Sequence, residues 1–273
     1  MDGGCKVVGL YSYPVKSCRG TPMDTVEISA QGLTGDRQLM ILKDNKFTNQ
    51  ARLPKLATVR ALRIDASTIA LSHGDAQPIE HKVSGDGAEI VIDFYGNRVT
   101  VVDQGDRIAQ WVSVAIGDEV RVAALKATFR RSVPLDEFAD IDGTDQSRFV
   151  DVAPLLVTSV ASLADLNARL QIGVPMERFR PNIVVDGLDA FQEDDVAVLE
   201  GNGLRLVRAT HCERCAVTCT DHLTGERSKE PLATLKSYRH RERGYAGGVM
   251  FGAYMSVQGV GTVSVGDTLG IAT

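Results

Sequence analysis

Residues 89–103 read EIVIDFYGNRVTVVD. Two runs rich in β-branched residues, Glu89 to Phe94 and Arg98 to Asp103, flank Gly96-Asn97, a pair suited to a tight hairpin turn because both residues tolerate positive φ. The same rhythm extends upstream. Lys6 to Tyr13 (KVVGLYSY) is a mostly apolar strand candidate, Asp24 to Ser29 (DTVEIS) alternates with period two, and Arg37 to Lys43 (RQLMILK) follows a turn at Gly35-Asp36. Val59 to Ile64 and Thr68 to Ser72 add two more, with Gly74, Gly85 and Gly87 as punctuation. Short strands at this spacing predict a barrel or sandwich rather than a parallel sheet with crossover helices.

One helix interrupts this half. Asp106 to Ala115 puts Ile108, Trp111, Val112 and Ala115 on one face, with Asp103 or Asp106 as its cap. Glu119 to Leu125 then reads as a strand closing a first unit, residues 1–125. Residues 126–148, with Pro134 and the run DEFADIDGTDQ, read as a linker or exposed loop that opens a second unit, 126–273. There a strand from Leu155 to Thr158 leads into a helix from Ser159 to Leu170, whose inner face is Leu163, Leu166 and Leu170. Asn182 to Asp186, Ala197 to Leu199, Leu204 to Ala209, Phe251 to Gln258 and Thr262 to Ile271 read as strands, Gly201-Asn202-Gly203 as a hairpin turn, and Glu230 to Tyr238 as weakly helical.

The chain has 273 residues, 44% hydrophobic and 24% charged, the mixture of an ordinary globular protein. It contains no apolar run long enough for a transmembrane helix, and the opening MDGGCKVVGL lacks the pattern of a secretory signal. A net charge of -5 with scattered Lys and Arg argues against a nucleic-acid partner. Five cysteines, an odd number, make a poor disulfide framework and point to thiol or metal chemistry in a reducing compartment, so a cytoplasmic location is expected. A phosphate-binding Walker sequence, a dinucleotide-binding glycine motif after a strand, a serine-nucleophile elbow and a zinc-protease motif are all missing.

The densest chemistry is HCERCAVTCTD, residues 211–221. A structural zinc site wants a second Cys pair or paired His, which the sequence lacks, and His211 and Cys212 as neighbours on a strand point apart. Haem attachment needs His where Ala216 stands, and a redox pair needs a thioredoxin-like context. Two readings stay open: a reactive thiolate favoured by Arg214 and His211, and a buried inert cysteine.

Several segments together resemble a known family: YPVKSCRG (13–20), GDRQLMI (35–41), LLVTS (155–159), RFRPNIVVDG (178–187), HCERCAVTCTD, KEPLATLKSYR (229–239), FGAY (251–254) and GTVSVGD (261–267). In order and spacing they resemble the molybdenum cofactor sulfurase C-terminal (MOSC) domain family with its companion N-terminal β-barrel domain, closest to the amidoxime-reducing components and their bacterial counterparts. The resemblance implies a mainly β (α+β) fold, an N-terminal barrel-like domain packed on a MOSC barrel with peripheral helices. It implies a molybdenum cofactor (molybdopterin) between the units, with Cys215 as the protein ligand to molybdenum and no iron–sulfur cluster or flavin in this chain. Lys16, Ser17, Arg37, Thr158, Ser159, Arg180, Asn182, Arg214 and Tyr254 match the family's cofactor-binding positions. Thr158 and Ser159 fall at a helix start, which favours an anion, although Ser159 also reads as a plain cap; Tyr254 reads equally as core packing, and Cys212 and Cys219 as packing only.

The activity implied is reduction of small N-hydroxylated compounds, with electrons from a separate donor protein of ferredoxin, flavodoxin or cytochrome b5 type and with Asp221, His211 or solvent as proton source. A Cys215 persulfide for sulfur transfer and a non-catalytic cofactor carrier are the alternatives. The sequence departs from the reductase pattern at Glu213, Cys219 and His222, which flank the metal position and bear on substrate preference.

Overall fold

A computed structural model describes residues 3–126, 129, 148–241 and 248–272. Most of the linker expected at 126–148 lies outside the described residues. Among the described residues, strands dominate and form two barrel-like sheets.

The first is a closed barrel of seven strands. Its circuit runs Ile183–Asp186, Leu155–Ser159, Val249–Gly259, Leu204–Arg214, Val198–Gly201, Thr268–Ala272 and Gly4–Ser12, which pairs back onto Ile183–Asp186. The chain's first strand, expected within the unit 1–125, is therefore a stave of the barrel built by the C-terminal half. Its own pattern explains the placement: Cys5, Val7 and Leu10 enter the barrel core beside Leu155, Val157, Leu206, Met255 and Leu269. A two-residue turn at Asn202-Gly203, both at positive φ, joins Val198–Gly201 to Leu204–Arg214 and bears out the expected hairpin. Leu155–Ser159 and Ile183–Asp186 are parallel, and the intervening chain carries the helix Val160–Arg169, the one crossover of this kind that the strand rhythm did not foretell.

The second sheet orders Glu89–Phe94, Asn97–Asp103, Arg121–Leu125, Leu39–Lys43 and Lys46–Phe47. Phe47 on one edge meets Phe94 on the other with ring centroids 5.0 Å apart, so the sheet curls nearly shut. Leu39–Lys43 is apolar at successive positions because it is covered on both faces. Leu39 and Ile41 join a core with Val15, Leu56, Ile108 and Val112, whereas Met40 and Leu42 join Phe94, Val101 and Phe149. The three-stranded meander Arg60–Arg63, Thr68–Ser72 and Ile79–Lys82 adds Ala61, Ile69, Leu71 and Ile79 to the former.

Several expectations shift. The hairpin turn falls on Tyr95-Gly96, one residue earlier than Gly96-Asn97, with Phe94 paired to Asn97. The helix Asp106–Ile116 is preceded by Gly105, not capped by an aspartate side chain, because Asp103 and Asp106 both pair with Arg121. The run Thr262 to Ile271 breaks into Gly261–Ser264, which pairs with Thr25–Ser29, and Thr268–Ala272, which enters the barrel. Leu204–Arg214 is longer than expected and carries His211 and Cys212 within a strand, and only Leu232–Lys236 of Glu230 to Tyr238 is helical.

Helix Val160–Arg169 packs Leu166 inward, with Leu163 and Leu170 partly buried beside it. Its first turn is satisfied from inside the protein. The Ser159 hydroxyl accepts from the Ala161 N–H at 3.1 Å, and the fully buried Glu193 accepts from Ser162 Oγ at 2.7 Å and from the Ser159 N–H at 3.3 Å. Burial pushes the Glu193 carboxyl up to about 7. A folded-state acid raised above its unfolded value stabilises most when protonated in both states, and that contribution fades as pH climbs from the unfolded to the folded value. Chemical denaturation should therefore show stability falling by on the order of 3 kcal/mol between about pH 4.5 and 7, and Glu193→Gln should flatten that stretch of the curve. An unaltered slope in the variant would assign the dependence to another group.

Candidate functional site

Between the mouth of the barrel and the curled sheet lies a cleft of about 610 Å³, a size that suits a cofactor or drug-sized ligand. Eight of the ten candidate residues line it: Lys16, Ser17, Arg37, Arg180, Asn182, Arg214, Cys215 and Tyr254. Distant segments supply them. Lys16 and Ser17 follow the first barrel strand, Arg37 precedes Leu39–Lys43, Arg180 and Asn182 lead into Ile183–Asp186, and Arg214 and Cys215 end Leu204–Arg214.

Three of these residues hold left-handed backbone, Ser17 at φ 71°, Arg37 at φ 45° and Arg180 at φ 56°. Such conformations cost about 1–2 kcal/mol each in non-glycine residues and cluster at functional sites. Tyr13 explains how two of them are kept. Its buried ring carries the Arg37 and Arg180 guanidinium groups, each 4.4 Å from the ring centroid. The Tyr13 N–H donates to Asp36 Oδ1 at 2.7 Å, Arg37 pairs with Asp36, and Arg37 donates to Asn182 Oδ1 at 3.1 Å. Asn182 spends its amide on the frame, accepting also from the Leu156 N–H at 3.3 Å and donating to the Tyr11 carbonyl at 3.3 Å.

Lys16 is buried along an aromatic wall, its Nζ 5.5 Å from the Phe47 and Phe94 ring centroids. It donates to Asp151 Oδ1 at 2.5 Å, and Tyr95 Oη donates to the same oxygen at 2.8 Å. Burial pushes Lys16 down and Asp151 opposes that; the Asp151 carboxyl, despite its own burial cost, is held down at about 2 by Lys16 and Tyr95. Asp151, Tyr95, Tyr13 and Asn49 escaped the sequence reading. Lys16 and Asp151 lie 135 positions apart, and no local pattern connects them.

Arg180 and Arg214 are different. Arg180 donates to the Cys18 carbonyl at 2.6 Å, and Arg214 to the Phe179 carbonyl at 2.7 Å and to Cys212 Sγ at 2.8 Å. Among the described residues neither has a carboxylate partner, and the buried Arg214 Nε has no hydrogen bond. Burial, then repulsion from Arg37, pushes the Arg180 guanidinium below its usual range. An anionic ligand in the cleft would relieve both residues.

Cys215 is the exposed cysteine of the five; Cys5, Cys18, Cys212 and Cys219 are buried. Its backbone is extended and leads into the short turn Ala216–Cys219. Burial pushes the Cys212 thiol up, and its sulfur is engaged by Arg214 and Tyr254. Cys219 Sγ donates to the Lys229 carbonyl at 3.5 Å. Among the described residues no three His, Cys, Asp or Glu side chains converge as a metal cage. Tyr254, paired with Thr210, lines the cleft; the ladder shifts register beside Gly252, at φ 82°, where a Cβ would sit 2.8 Å from Val157 O and Thr158 Cγ2.

Thr158 and Ser159 are not in the cleft. Both are fully buried, Thr158 donating to Met176 Sδ at 3.3 Å and Ser159 capping its helix. The physical reason is Glu193: an internal carboxylate already occupies the helix start that was expected to receive the cofactor anion. Asp221 also faces elsewhere, pairing with Arg178 at 2.9 Å, whereas His211 lines the cleft.

Residues 4–119 match the MOSC N-terminal beta barrel domain and residues 144–270 the MOSC domain. The chain is 34% identical over 275 residues to human mitochondrial amidoxime-reducing component 1, covering 96% of this chain and 81% of that one. It is 33% identical to Bos taurus mitochondrial amidoxime reducing component 2, over 94% of this chain and 80% of the relative. A Caenorhabditis elegans molybdenum cofactor sulfurase is 27% identical over 91% of this chain but only 33% of its own length. No helix among the described residues is long and apolar enough to cross a membrane. The strands, the cleft and these matches agree, and the chain belongs to the MOSC domain family, with the MOSC N-terminal β-barrel domain fused ahead of it.

Proposed function

We propose that this protein is a molybdenum-cofactor enzyme that reduces small N-hydroxylated compounds, R–NHOH + 2 e⁻ + 2 H⁺ → R–NH₂ + H₂O. The observation that carries the reading is the pair of guanidinium groups without carboxylate partners, Arg180 and Arg214, in one cleft with the exposed thiol of Cys215. That donor set fits an anionic, sulfur-ligated cofactor: arginines for a phosphate and pterin oxygens, one soft ligand for the metal. The amidoxime-reducing relatives support the reaction class.

Cys215 would hold the metal, and Lys16, Ser17, Arg37, Arg180, Arg214 and Tyr254 the pterin and its phosphate. When bound, the cofactor supplies the two-electron chemistry that no side chain offers. Tyr13 holds both the Arg37 and the Arg180 guanidinium against its ring and limits the reorganisation needed on loading. Asn182 orients Arg37. Asp151 and Tyr95 hold the Lys16 ammonium at the cleft wall. Of the expected proton sources, His211 is the side chain that faces the cleft, with solvent as its supply. Electrons come from a separate small redox protein, and five unpaired cysteines suit a reducing compartment such as the cytoplasm.

With molybdenum-loaded protein, a viologen reductant and benzamidoxime, Cys215→Ser should lower turnover by roughly a hundredfold or more and reduce bound molybdenum. Full metal content and full rate in that variant would sink the ligand assignment. Cyanide-labile sulfur on Cys215, without molybdenum, would instead favour sulfur transfer. Arg180→Lys keeps the charge but loses the planar stack on Tyr13, so pterin retention after gel filtration should fall about tenfold, read by fluorescence of the oxidised pterin.

A further inference from the structure

The cleft is not uniformly cationic. Lys16, Arg37, Arg180 and Arg214 line it together with His211, already named as a proton source, and Glu213, which has no role in holding the cofactor. His211, Glu213 and Cys215 lie two positions apart along extended backbone, and Cys212 between the first two is fully buried. The ladder shifts register between His211 and Glu213, and both side chains nonetheless line the cleft that holds the exposed thiol.

Both side chains hold an unsatisfied buried atom, His211 Nε2 and Glu213 Oε2. Among the described residues Glu213 makes no ion pair. The contrast with Asp36 and Asp151, each paired to a cation, is direct. A buried acceptor left without a donor costs about 1–3 kcal/mol, so its retention in a cleft calls for a ligand that completes it. Its position is also built. A Cβ on Gly248 would sit 2.2 Å from Glu213 Cγ and 2.4 Å from Cδ, so the Glu213 side chain packs directly over this glycine.

We infer that Glu213, with His211 beside it, is the substrate-recognition end of the cleft and selects ligands that present N–H donors or a cationic nitrogen next to the reacting N–O bond. This rests on the reductase reading and adds the residue that reads the substrate. Glu213 faces the substrate's N–H edge and His211 Nε2 takes a second hydrogen bond. A carboxylate-bearing substrate meets Glu213 as a like charge.

The test is equilibrium binding to the molybdenum-loaded protein, with no turnover, of benzamidine and its neutral isostere benzamide, by calorimetry. Wild type should bind benzamidine about tenfold or more tighter than benzamide. Glu213→Gln should bring the two within about twofold while molybdenum content stays unchanged. Equal binding of the two ligands by wild type, or a preference that survives intact in the metal-loaded variant, overturns the assignment. Should the variant lose its metal, the wild-type pair decides alone. Failure of the reductase reading is seen separately, as absent turnover of benzamidoxime by the same wild-type preparation, because neither calorimetric ligand contains an N–O bond.

Discussion

Two positive charges with no carboxylate partner among the described residues organise this molecule. Arg180 and Arg214 are drawn into a cleft where their donors meet backbone carbonyls and a thiol. Holding them costs solvation, and the left-handed backbone at Arg180 costs about another 1–2 kcal/mol. Tyr13 is the counterweight for Arg180: its ring carries both the Arg180 and the Arg37 guanidinium, and its backbone ties to the Asp36 that pairs with Arg37. The barrel, the curled sheet and the turns between them can be read as the apparatus that brings these groups to one place.

The topology serves that end. The first strand, Gly4–Ser12, closes the barrel of the C-terminal half, so the segment after it, with Tyr13, Lys16 and Ser17, emerges at the barrel mouth. From there the chain builds the second sheet and returns Arg37 and Tyr95 to the same cleft. Because the strand and the loop that follows it are continuous, the two sheets are tied by covalent structure as well as by packing. The rigid elements end at the cleft and the functional side chains sit at their termini, the arrangement that gives precise placement without burying the ligand's approach.

Charge is partitioned within the cleft. Lys16 and Arg37 have their own carboxylates, Arg180 and Arg214 do not, and Glu213 has no cation among the described residues. A uniformly neutralised cleft would be more stable and would bind nothing strongly. Unmet donors at one side and an unmet acceptor at the other describe a site complementary to an anion and to an N–H donor at once. Glu193 shows the opposite outcome: its carboxylate completes a helix start internally and leaves that helix with no ligand to seek.

Local chemistry determined the class of fold, and the resemblance of short motifs singled out most of the residues that line the cleft. Period-two runs punctuated by glycine marked the strands, the spacing of Ile108 and Val112 marked the helix Asp106–Ile116, and the RFRPN segment and HCERC cluster, read through their resemblance, marked Arg180, Asn182, Arg214 and Cys215. These signals survive in one dimension because each depends on neighbours a few residues away. Tertiary structure decided the rest. Which barrel the first strand joins depends on edges offered by strands more than a hundred residues distant. Asp151 meets Lys16 only after folding, and Thr158 and Ser159 lie buried outside the cleft, where Glu193 reaches their helix start. Whether a charge is compensated is a property of three-dimensional neighbours, and that property separates a binding arginine from a structural one.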